Sequence, residues 1–220
     1  MENETNIRVF IIDDHEMVRK GLIFFLTSQP GFEVVGEAGS VIEGLELIEN
    51  IMPDIVLMDL VMPEISGLEA IKIVKVKHPL IEILAVTSYI DDEKVHSALR
   101  NGASGYMMKD SSPTELARAI KATAKGEIYL HPEATRRLAS SLRINDESDP
   151  SPSVLTKREN DVLKLIARGL SNQDIANDLN ITLKTVKSHV SNILSKLHLN
   201  SRVQIALYAL RHNIVPIEDI

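Results

Sequence analysis

The 220-residue sequence contains no cysteine and no tryptophan, and aromatic residues make up only 4% of it. The absence of cysteine excludes disulfide bonds, thiolate metal ligands and a nucleophilic thiol. No apolar run approaches the roughly 20 residues that a membrane-spanning helix needs. The polar, acidic start Met1–Asn6 is unlike a signal peptide. We therefore expect a cytoplasmic protein without a membrane partner.

The formal net charge of −7 is unevenly distributed along the chain. Residues 153–220 hold 9 Lys and Arg against 6 Asp and Glu, whereas residues 1–152 hold 15 against 25. An acidic first part and a mildly basic second part indicate two regions with different tasks. The 44% of hydrophobic residues is enough to build a core in each region.

Residues 1–126 alternate between short apolar runs of strand length and amphipathic helical segments. Five strands alternating with five helices predict an α/β doubly wound, five-stranded parallel sheet with right-handed crossovers. The third strand carries the unbroken apolar run Ile55–Met58, which is typical of a central strand buried on both faces. We therefore predict that residues 1–126 form one domain of this type.

Polar side chains end four of these five strands. Asp13 and Asp14 end the first strand, Asp59 the third, Thr87 the fourth and Lys109 the fifth. A single aspartate there could simply begin a turn, but the ends of parallel strands share one edge of a sheet. Oxygen ligands favour a hard cation such as Mg²⁺, and an ammonium and a hydroxyl can bind a phosphoryl group. The combination predicts phosphoryl transfer onto Asp59.

Residues 127–152 differ in character from the segments on either side. His131 to Leu142 has a mixed pattern that still favours a helix, and the following Arg143–Pro152 is polar, acidic and rich in proline. Such a composition is typical of a linker. We therefore assign residues 127–152 to a linker with a helical segment.

Residues 153–220 are predicted to form an all-α domain of four short helices. Thr156 and Glu159 have the spacing of a capping box, and Ser171 and Thr182 are expected to cap the second and third helices. The third helix has one apolar face and one face of Lys, Ser, Thr and Asn. A helix, a short turn and a polar-faced helix predict a helix-turn-helix DNA reader. A small helical bundle with a solvated polar face is the alternative.

Both regions resemble known families. The Asp-Asp pair, the run Met58–Pro63, Thr87-Ser88 and Lys109 make residues 7–126 similar to a two-component response-regulator receiver domain, which is CheY-like or flavodoxin-like in fold. The runs Leu155–Ala176 and Thr185–Leu197 resemble the LuxR-type DNA-binding domain. The whole chain thus resembles the NarL/FixJ class of response regulators, and within it most closely the LiaR/VraR group, which regulates the cell-envelope stress response.

For the first domain, the resemblance implies that a sensor histidine kinase phosphorylates Asp59. Asp14, Asp59 and the Val61 carbonyl would bind Mg²⁺, and Asp13 would act through a water. Thr87 and Tyr106 would switch together after phosphorylation. Receiver domains often have a proline after the lysine, commonly in a cis peptide; here Asp110 stands there, and we expect a trans bond or local strain.

For the second domain, the resemblance implies binding to double-stranded promoter DNA as a homodimer formed on activation, with RNA polymerase as a further partner. Base edges would be approached by Lys187, Ser188 and Ser191. The residues expected to hold DNA phosphates lie at two helices: Ser171, Asn172, Lys184, Thr185, Asn192 and Lys196. The last predicted helix, from Ser201 to Asn213, would be the dimer contact. The chain is expected not to be an enzyme.

Two other functions are weighed against this prediction. A phosphatase of the haloacid-dehalogenase type needs a second aspartate two residues after the first, where this chain has Val61. A phosphorylation-independent DNA-binding regulator with a vestigial receiver is opposed only by the intact acidic pocket. Separately, Met17, Gly21 and Phe24 form an apolar strip on the first helix. We expect this strip either to be buried or to take part in self-association.

Overall fold

The computed structural model describes residues 6–88, 92–141 and 154–215. The predicted linker Arg143–Pro152 and the residues Tyr89 and Ile90 lie outside these ranges. Within them the chain forms an α/β domain followed by a helical domain. No helix of the described ranges is long and apolar enough to cross a membrane.

Among the described residues, the α/β domain contains six strands and six helices. The strands are β1 (Ile7–Ile12), β2 (Phe32–Ala38), β3 (Ile55–Asp59), β4 (Glu82–Thr87), β5 (Gly105–Met108) and β6 (Tyr129–Leu130). The helices are α1 (Glu16–Ser28), α2 (Val41–Ile51), α3 (Gly67–Lys77), α4 (Asp92–Asn101), α5 (Pro113–Ala124) and α6 (Pro132–Ser141). All strand pairs are parallel, in the order β2-β1-β3-β4-β5-β6.

Both faces of this sheet are covered, as the apolar strands require. Every residue of β3 is buried, and two separate core clusters lie on the two sides of the sheet. One cluster includes Ile48 of α2, Ile71 of α3 and Val95 of α4, and the other includes Leu26 of α1 and Ile120 of α5. The doubly wound fold class predicted from the sequence is confirmed.

The prediction of five strands is wrong, because β6 adds a sixth. Tyr129 and Leu130 pair in parallel with Gly105 and Tyr106 of β5. A strand of two residues is too short to produce an alternating pattern, so its sequence resembled the start of a linker. The sheet therefore continues to Leu130, and the proposed domain boundary at residue 126 stays a prediction.

The helical domain consists of α7 (Lys157–Ala167), α8 (Asn172–Asp178), α9 (Leu183–Leu197) and α10 (Arg202–Arg211). Thr156 and Ser171 each form a complete capping box, and the Thr182 hydroxyl accepts the Thr185 N–H. Its own core includes Ile166, Ile193 and Tyr208. The four-helix prediction is confirmed, with the α8–α9 pair in the place of a helix-turn-helix.

The two domains contact each other through α4 and α10. The Gln204 side-chain amide donates to the carbonyls of Leu99 (3.1 Å) and Arg100 (2.6 Å) at the end of α4. Val203 is 2% exposed and belongs to the core cluster of the α/β domain rather than to that of its own domain. The Asn172 N–H also donates to the Lys125 carbonyl at 3.0 Å. The face of α10 expected to join two copies thus partly covers the α/β domain.

Candidate phosphoacceptor site and DNA-reading helix

The side chains predicted to share a pocket meet at the carboxyl edge of the sheet. Asp13 follows β1, Asp59 ends β3 and Lys109 follows β5. The Lys109 Nζ lies 2.7 Å from an oxygen of Asp13 and 2.7 Å from Asp59 Oδ2. The other oxygen of Asp59 accepts the Val61 N–H at 3.1 Å. A single ammonium therefore bridges two buried carboxylates that would otherwise repel each other.

These carboxylates form an oxygen-rich cluster that fits a metal ion. Ligand atoms of Asp13, Asp14, His15 and Asp59 all lie within 4.8 Å of one another. Asp13 and Asp59 are 2% and 3% exposed, whereas the Asp14 side chain keeps 28% of its surface. The cluster is thus closed on the protein side and open at Asp14. Carboxylate oxygens with an open side suit a hard divalent cation that keeps some of its waters.

Burial is the largest influence on the pKa of Asp59. Desolvation raises its pKa above the ordinary value, and the nearby Asp13 charge adds to this effect, against the lowering by the Lys109 ammonium and the Val61 N–H. For Lys109, burial lowers the pKa, but the hydrogen bonds to Asp13 and Asp59 outweigh it and the net pKa is raised. The carboxylate is therefore held at an energetic cost next to a cation that stays charged.

The two predicted switch residues are fully enclosed. Thr87 and Tyr106 are each 0% exposed. Tyr106 is part of the core cluster that includes Val95 of α4 and Ala134 of α6. Tyr106 is therefore a core residue rather than a half-buried aromatic at the sheet edge. No cis peptide occurs among the described residues, so the Lys109–Asp110 bond is trans as expected.

The sequence did not single out His15, which belongs to the same cluster. Its Nδ1 lies 2.8 Å from Asp14 Oδ1 and 3.4 Å from Asp13 Oδ1, and its side chain is 63% exposed. Its backbone N–H also donates to Asp13 Oδ1 at 2.9 Å. The only signal for this contact is its position directly after the aspartate pair.

The polar face of α9 is only partly open to solvent. Lys184, Lys187, Ser188 and Asn192 are exposed, whereas Thr185 and Ser191 are half-buried. Lys187 and Ser191 line a cleft whose opposite wall includes Met52, Lys77 and His78 of the α/β domain. In this arrangement the helix cannot enter a DNA groove along its whole length.

Three residues expected to hold DNA phosphates are engaged within the protein. Ser171 and Asn172 are 5% and 6% exposed, and Asn172 Oδ1 accepts from Arg202 at 2.9 Å. The Lys196 ammonium pairs with Glu159 at 2.7 Å. The sequence could not reveal these contacts, because each joins residues that are far apart in the chain.

Comparison with known families agrees with this architecture. Residues 9–121 match the family described as "Response regulator receiver domain", and residues 153–209 match "Bacterial regulatory proteins, luxR family". The first match alone covers more than half of the chain. The chain therefore belongs to the response regulators that join a receiver domain to a LuxR-type DNA-binding domain.

The chain is also similar to individual response regulators over nearly its whole length. The chain is 46% identical to "Transcriptional regulatory protein LiaR" of Bacillus subtilis over 95% of its length and 99% of that protein. It is 42% identical to "Response regulator protein VraR" of Staphylococcus aureus with the same coverage. These relatives are transcriptional regulators rather than enzymes, and the predicted resemblance to LiaR and VraR is confirmed.

Solved structures give the same picture. The response regulator ChrA of a heme-sensing two-component system is 30% identical, with a TM-score of 0.52 over 96% of this chain and 99% of that one. A structure described as two RcsB dimers bound to two parallel DNAs is 26% identical, with a TM-score of 0.57 over 93% of this chain and 98% of that one. Both alignments therefore extend over the α/β domain and the helical domain of this chain.

Proposed function

We propose that a sensor histidine kinase phosphorylates Asp59, and that the phosphorylated protein dimerises and binds promoter DNA. The observation that carries this proposal is the contact of Lys109 with both Asp13 and Asp59 at 2.7 Å. This geometry keeps a cation where the new negative charge would develop. Phosphorylation adds about −1.5 to −2 charge, which Lys109 would neutralise.

The acidic cluster would hold Mg²⁺ through Asp14, Asp59 and the Val61 carbonyl, with Asp13 acting through a water. When bound, the ion supplies positive charge that stabilises the phosphoryl group during transfer. The Lys109 ammonium would move from the Asp59 carboxylate to a phosphoryl oxygen. The Thr87 hydroxyl would donate a hydrogen bond to another phosphoryl oxygen. Tyr106, which is buried on the neighbouring strand β5, would adjust its packing when Thr87 moves.

The link from Asp59 to DNA is proposed to run through α4. Thr87 ends β4, and α4 is the next described helix; its last carbonyls bind Gln204 of α10. A shift of α4 would weaken these contacts and free both α10 and the cleft-facing residues of α9.

Once free, Lys187, Ser188 and Ser191 would reach base edges, while Lys184, Thr185, Asn192 and Lys196 would hold phosphates. Ser171 and Asn172 would join them after the domains separate. Two copies would pair through α10, and the RcsB dimers on DNA are a precedent for dimeric binding in a relative. RNA polymerase is proposed as a further partner and the cytoplasm as the location.

Met17 and Phe24 on α1 are 86% and 79% exposed. They are therefore not part of a wide buried face, and we propose that this strip contributes to self-association. Met17→Asp should reduce the sedimentation coefficient of the phosphorylated protein. An unchanged value would contradict the role of the strip.

The similarity to LiaR and VraR supports cell-envelope stress as the controlled response.

The direct test combines acetyl phosphate and Mg²⁺ with intact-mass measurement and an operator-binding titration. Wild-type protein should gain one phosphoryl group, which hydroxylamine removes, and should bind the operator more tightly. Asp59→Ala should gain none. Phosphorylation without tighter binding, or tight binding that ignores phosphorylation, would instead favour a regulator with a vestigial receiver.

A further inference from the structure

A cavity of about 330 Å³ lies between the two domains at the edge of the sheet opposite the acidic cluster. Met52, Pro53 and His78 line it from the α/β domain, and Lys187, Val190 and Leu194 line it from α9. Its volume falls within the range of small-molecule sites, roughly 300–1,000 Å³. Nothing in the proposed phosphotransfer uses this space.

The charged residues that line the cavity leave an excess of positive charge. Four lining residues are cations and two are carboxylates: Lys75, Lys77, Lys187, Arg202, Asp54 and Glu82. Glu82 faces Lys75 at 3.7 Å, and the Asp54 carboxylate accepts the Arg8 N–H at 2.9 Å. The Lys187 ammonium has no hydrogen bond or ion pair to any described residue. Lys77 pairs with Glu49, so Lys187 and Arg202 are the two lining cations that have no ion pair among the described residues.

Arg202 is a buried cation of the cavity wall that has no direct counter-ion among the described residues. It is 4% exposed, its Nη1 donates to Asn172 Oδ1 at 2.9 Å and its Nη2 donates to the Leu170 carbonyl. Its Nε is buried without a hydrogen-bond partner, and no described carboxylate lies within ion-pair distance of the guanidinium. Burial lowers its pKa to about 10, although the charges of Glu82 and Glu127 oppose this. A buried guanidinium without a counter-ion is costly.

We propose that this cavity binds an organic phosphate monoester, which bridges the two domains. The dianionic head would match the two cations without an ion pair, Arg202 and Lys187, and accept hydrogen bonds from both. Arginine and lysine are the usual partners of phosphate in proteins. The apolar part of the ligand would lie against Leu80, Val190 and Leu194, which line the same cavity.

Such a ligand would stabilise the docked arrangement. It contacts both domains, so it binds only when they are together and shifts the equilibrium toward that state by mass action. It would also occupy Lys187 and screen Ser191. The consequence for DNA binding rests on the proposed function, whereas the binding site itself does not.

Calorimetric titration of the full-length protein with phenyl phosphate in EDTA tests the site. EDTA removes the metal on which phosphoryl transfer to Asp59 would depend. We expect one saturable site that Lys187→Met weakens at least tenfold. Lys184→Met is the matched control, since Lys184 lies one turn away on α9 and does not line the cavity; it should bind within twofold of wild type. No saturable binding, or equal loss in both variants, would overturn the proposal.

Related probes define the ligand class. Inorganic phosphate should bind more weakly because it lacks the apolar part, and benzyl alcohol should not bind. Benzoate carries one charge and should bind at least tenfold more weakly than phenyl phosphate. Binding of benzoate at equal strength would overturn the assignment to phosphate.

An operator titration with and without phenyl phosphate, at matched ionic strength, tests the consequence separately. Weaker operator binding by the wild type in the presence of phenyl phosphate supports it. If calorimetry shows the site but operator affinity does not change, the regulatory consequence is wrong. If the protein binds no DNA at all, the proposed function fails and calorimetry still decides the site.

Discussion

The buried cations at the two edges of the parallel sheet have different kinds of partners. At the carboxyl edge, Lys109 neutralises Asp13 and Asp59 directly at 2.7 Å. At the amino edge, the buried Lys75 ammonium donates to the carbonyls of Pro79 (3.0 Å) and Ile81 (2.9 Å), and Arg202 has no ion pair within the described ranges. The carboxyl edge thus contains a compact ionic site. At the amino edge Lys75 still faces Glu82 at 3.7 Å, but the buried Arg202 has no direct counter-ion among the described residues.

This difference follows from how each edge is built. The carboxyl edge is assembled by strand ends, which topology brings together whatever the second domain does. The amino edge is completed only when the helical domain docks, because Arg202, Lys187 and Asn172 all belong to that domain. We infer that the first edge is a stable chemical site and that the second is a reversible contact.

The largest effect is expected at the carboxyl edge from Lys109→Met. This change leaves two buried carboxylates without their cation, and should lower the free energy of unfolding by about 3–5 kcal/mol at neutral pH. Loss of the cation raises the pKa of Asp59 further in the folded state, so the deficit should shrink as pH falls and this carboxylate becomes protonated. Urea unfolding at several pH values measures this.

Lys77→Met is the control for that variant, because it removes an ammonium whose ion pair with Glu49 is exposed on both sides. Its stability should hardly change. An equal loss in the two variants would show that the carboxyl edge is not a specialised ionic site.

Gly126→Ala should act on the amino edge alone. A Cβ at Gly126 would lie 2.3 Å from the Asn172 Nδ2 across the domain contact, and the residue has a φ of +77°. We expect a loss of about 1–3 kcal/mol, most of it in domain docking. Unphosphorylated protein should bind the operator more tightly and be cleaved faster by protease between the domains.

Gly169→Ala separates backbone strain from the clash, since Gly169 has a similar φ of +81° but no atom within 4 Å of an added Cβ. This variant should lose only the backbone contribution of about 1 kcal/mol. Its operator affinity should match that of the wild type. If Gly169→Ala also tightens operator binding, docking through Asn172 does not control access to DNA.

Asp59→Asn should stabilise the protein at neutral pH by about 1 kcal/mol. The pKa of Asp59 is raised by burial, so the wild type loses stability as pH rises through that value and the carboxylate ionises. The advantage of the asparagine variant should therefore be absent below about pH 4 and grow as the pH rises. Thermal unfolding across this range measures it, and a variant less stable than wild type at pH 7 would contradict the account.

The smallest effect is expected from Lys196→Met in the helical domain. Burial raises the pKa of Glu159, but hydrogen bonds from Lys196 and Thr156 outweigh it and the net pKa is lowered. The partly exposed pair should contribute about 0.5 kcal/mol at neutral pH, and the contribution should disappear as pH falls through the lowered pKa. Lys184→Met provides the comparison in denaturant unfolding, with no change expected.

The features predicted well from the sequence depend on short stretches of chain. The buried strand Ile55–Met58, the carboxylates at strand ends and the capping residues Thr156 and Ser171 each produce a local signal. The α/β fold and the proximity of Asp13, Asp59 and Lys109 could therefore be predicted from the amino-acid sequence alone.

The features that the sequence missed depend on distant contacts or on very short elements. Strand β6 has two residues and no periodicity of its own. Asn172 has the position of a DNA-phosphate contact, yet it is buried by Arg202 and Gly126, which are remote in sequence. Arg202 could not be recognised as part of the cavity wall, since the cavity exists only where the two domains meet.

The most direct test of the central claim measures the distance between the domains. The chain has no native cysteine. Val76 on α3 and Asp178 on α8 are exposed, so Val76→Cys and Asp178→Cys can each carry one spin label. Pulsed electron resonance should show one short distance in the unphosphorylated protein. A longer distribution should appear after acetyl phosphate treatment, but not in the same protein carrying Asp59→Ala. An unchanged distance in protein that is phosphorylated and binds the operator more tightly would contradict release of the reading helix.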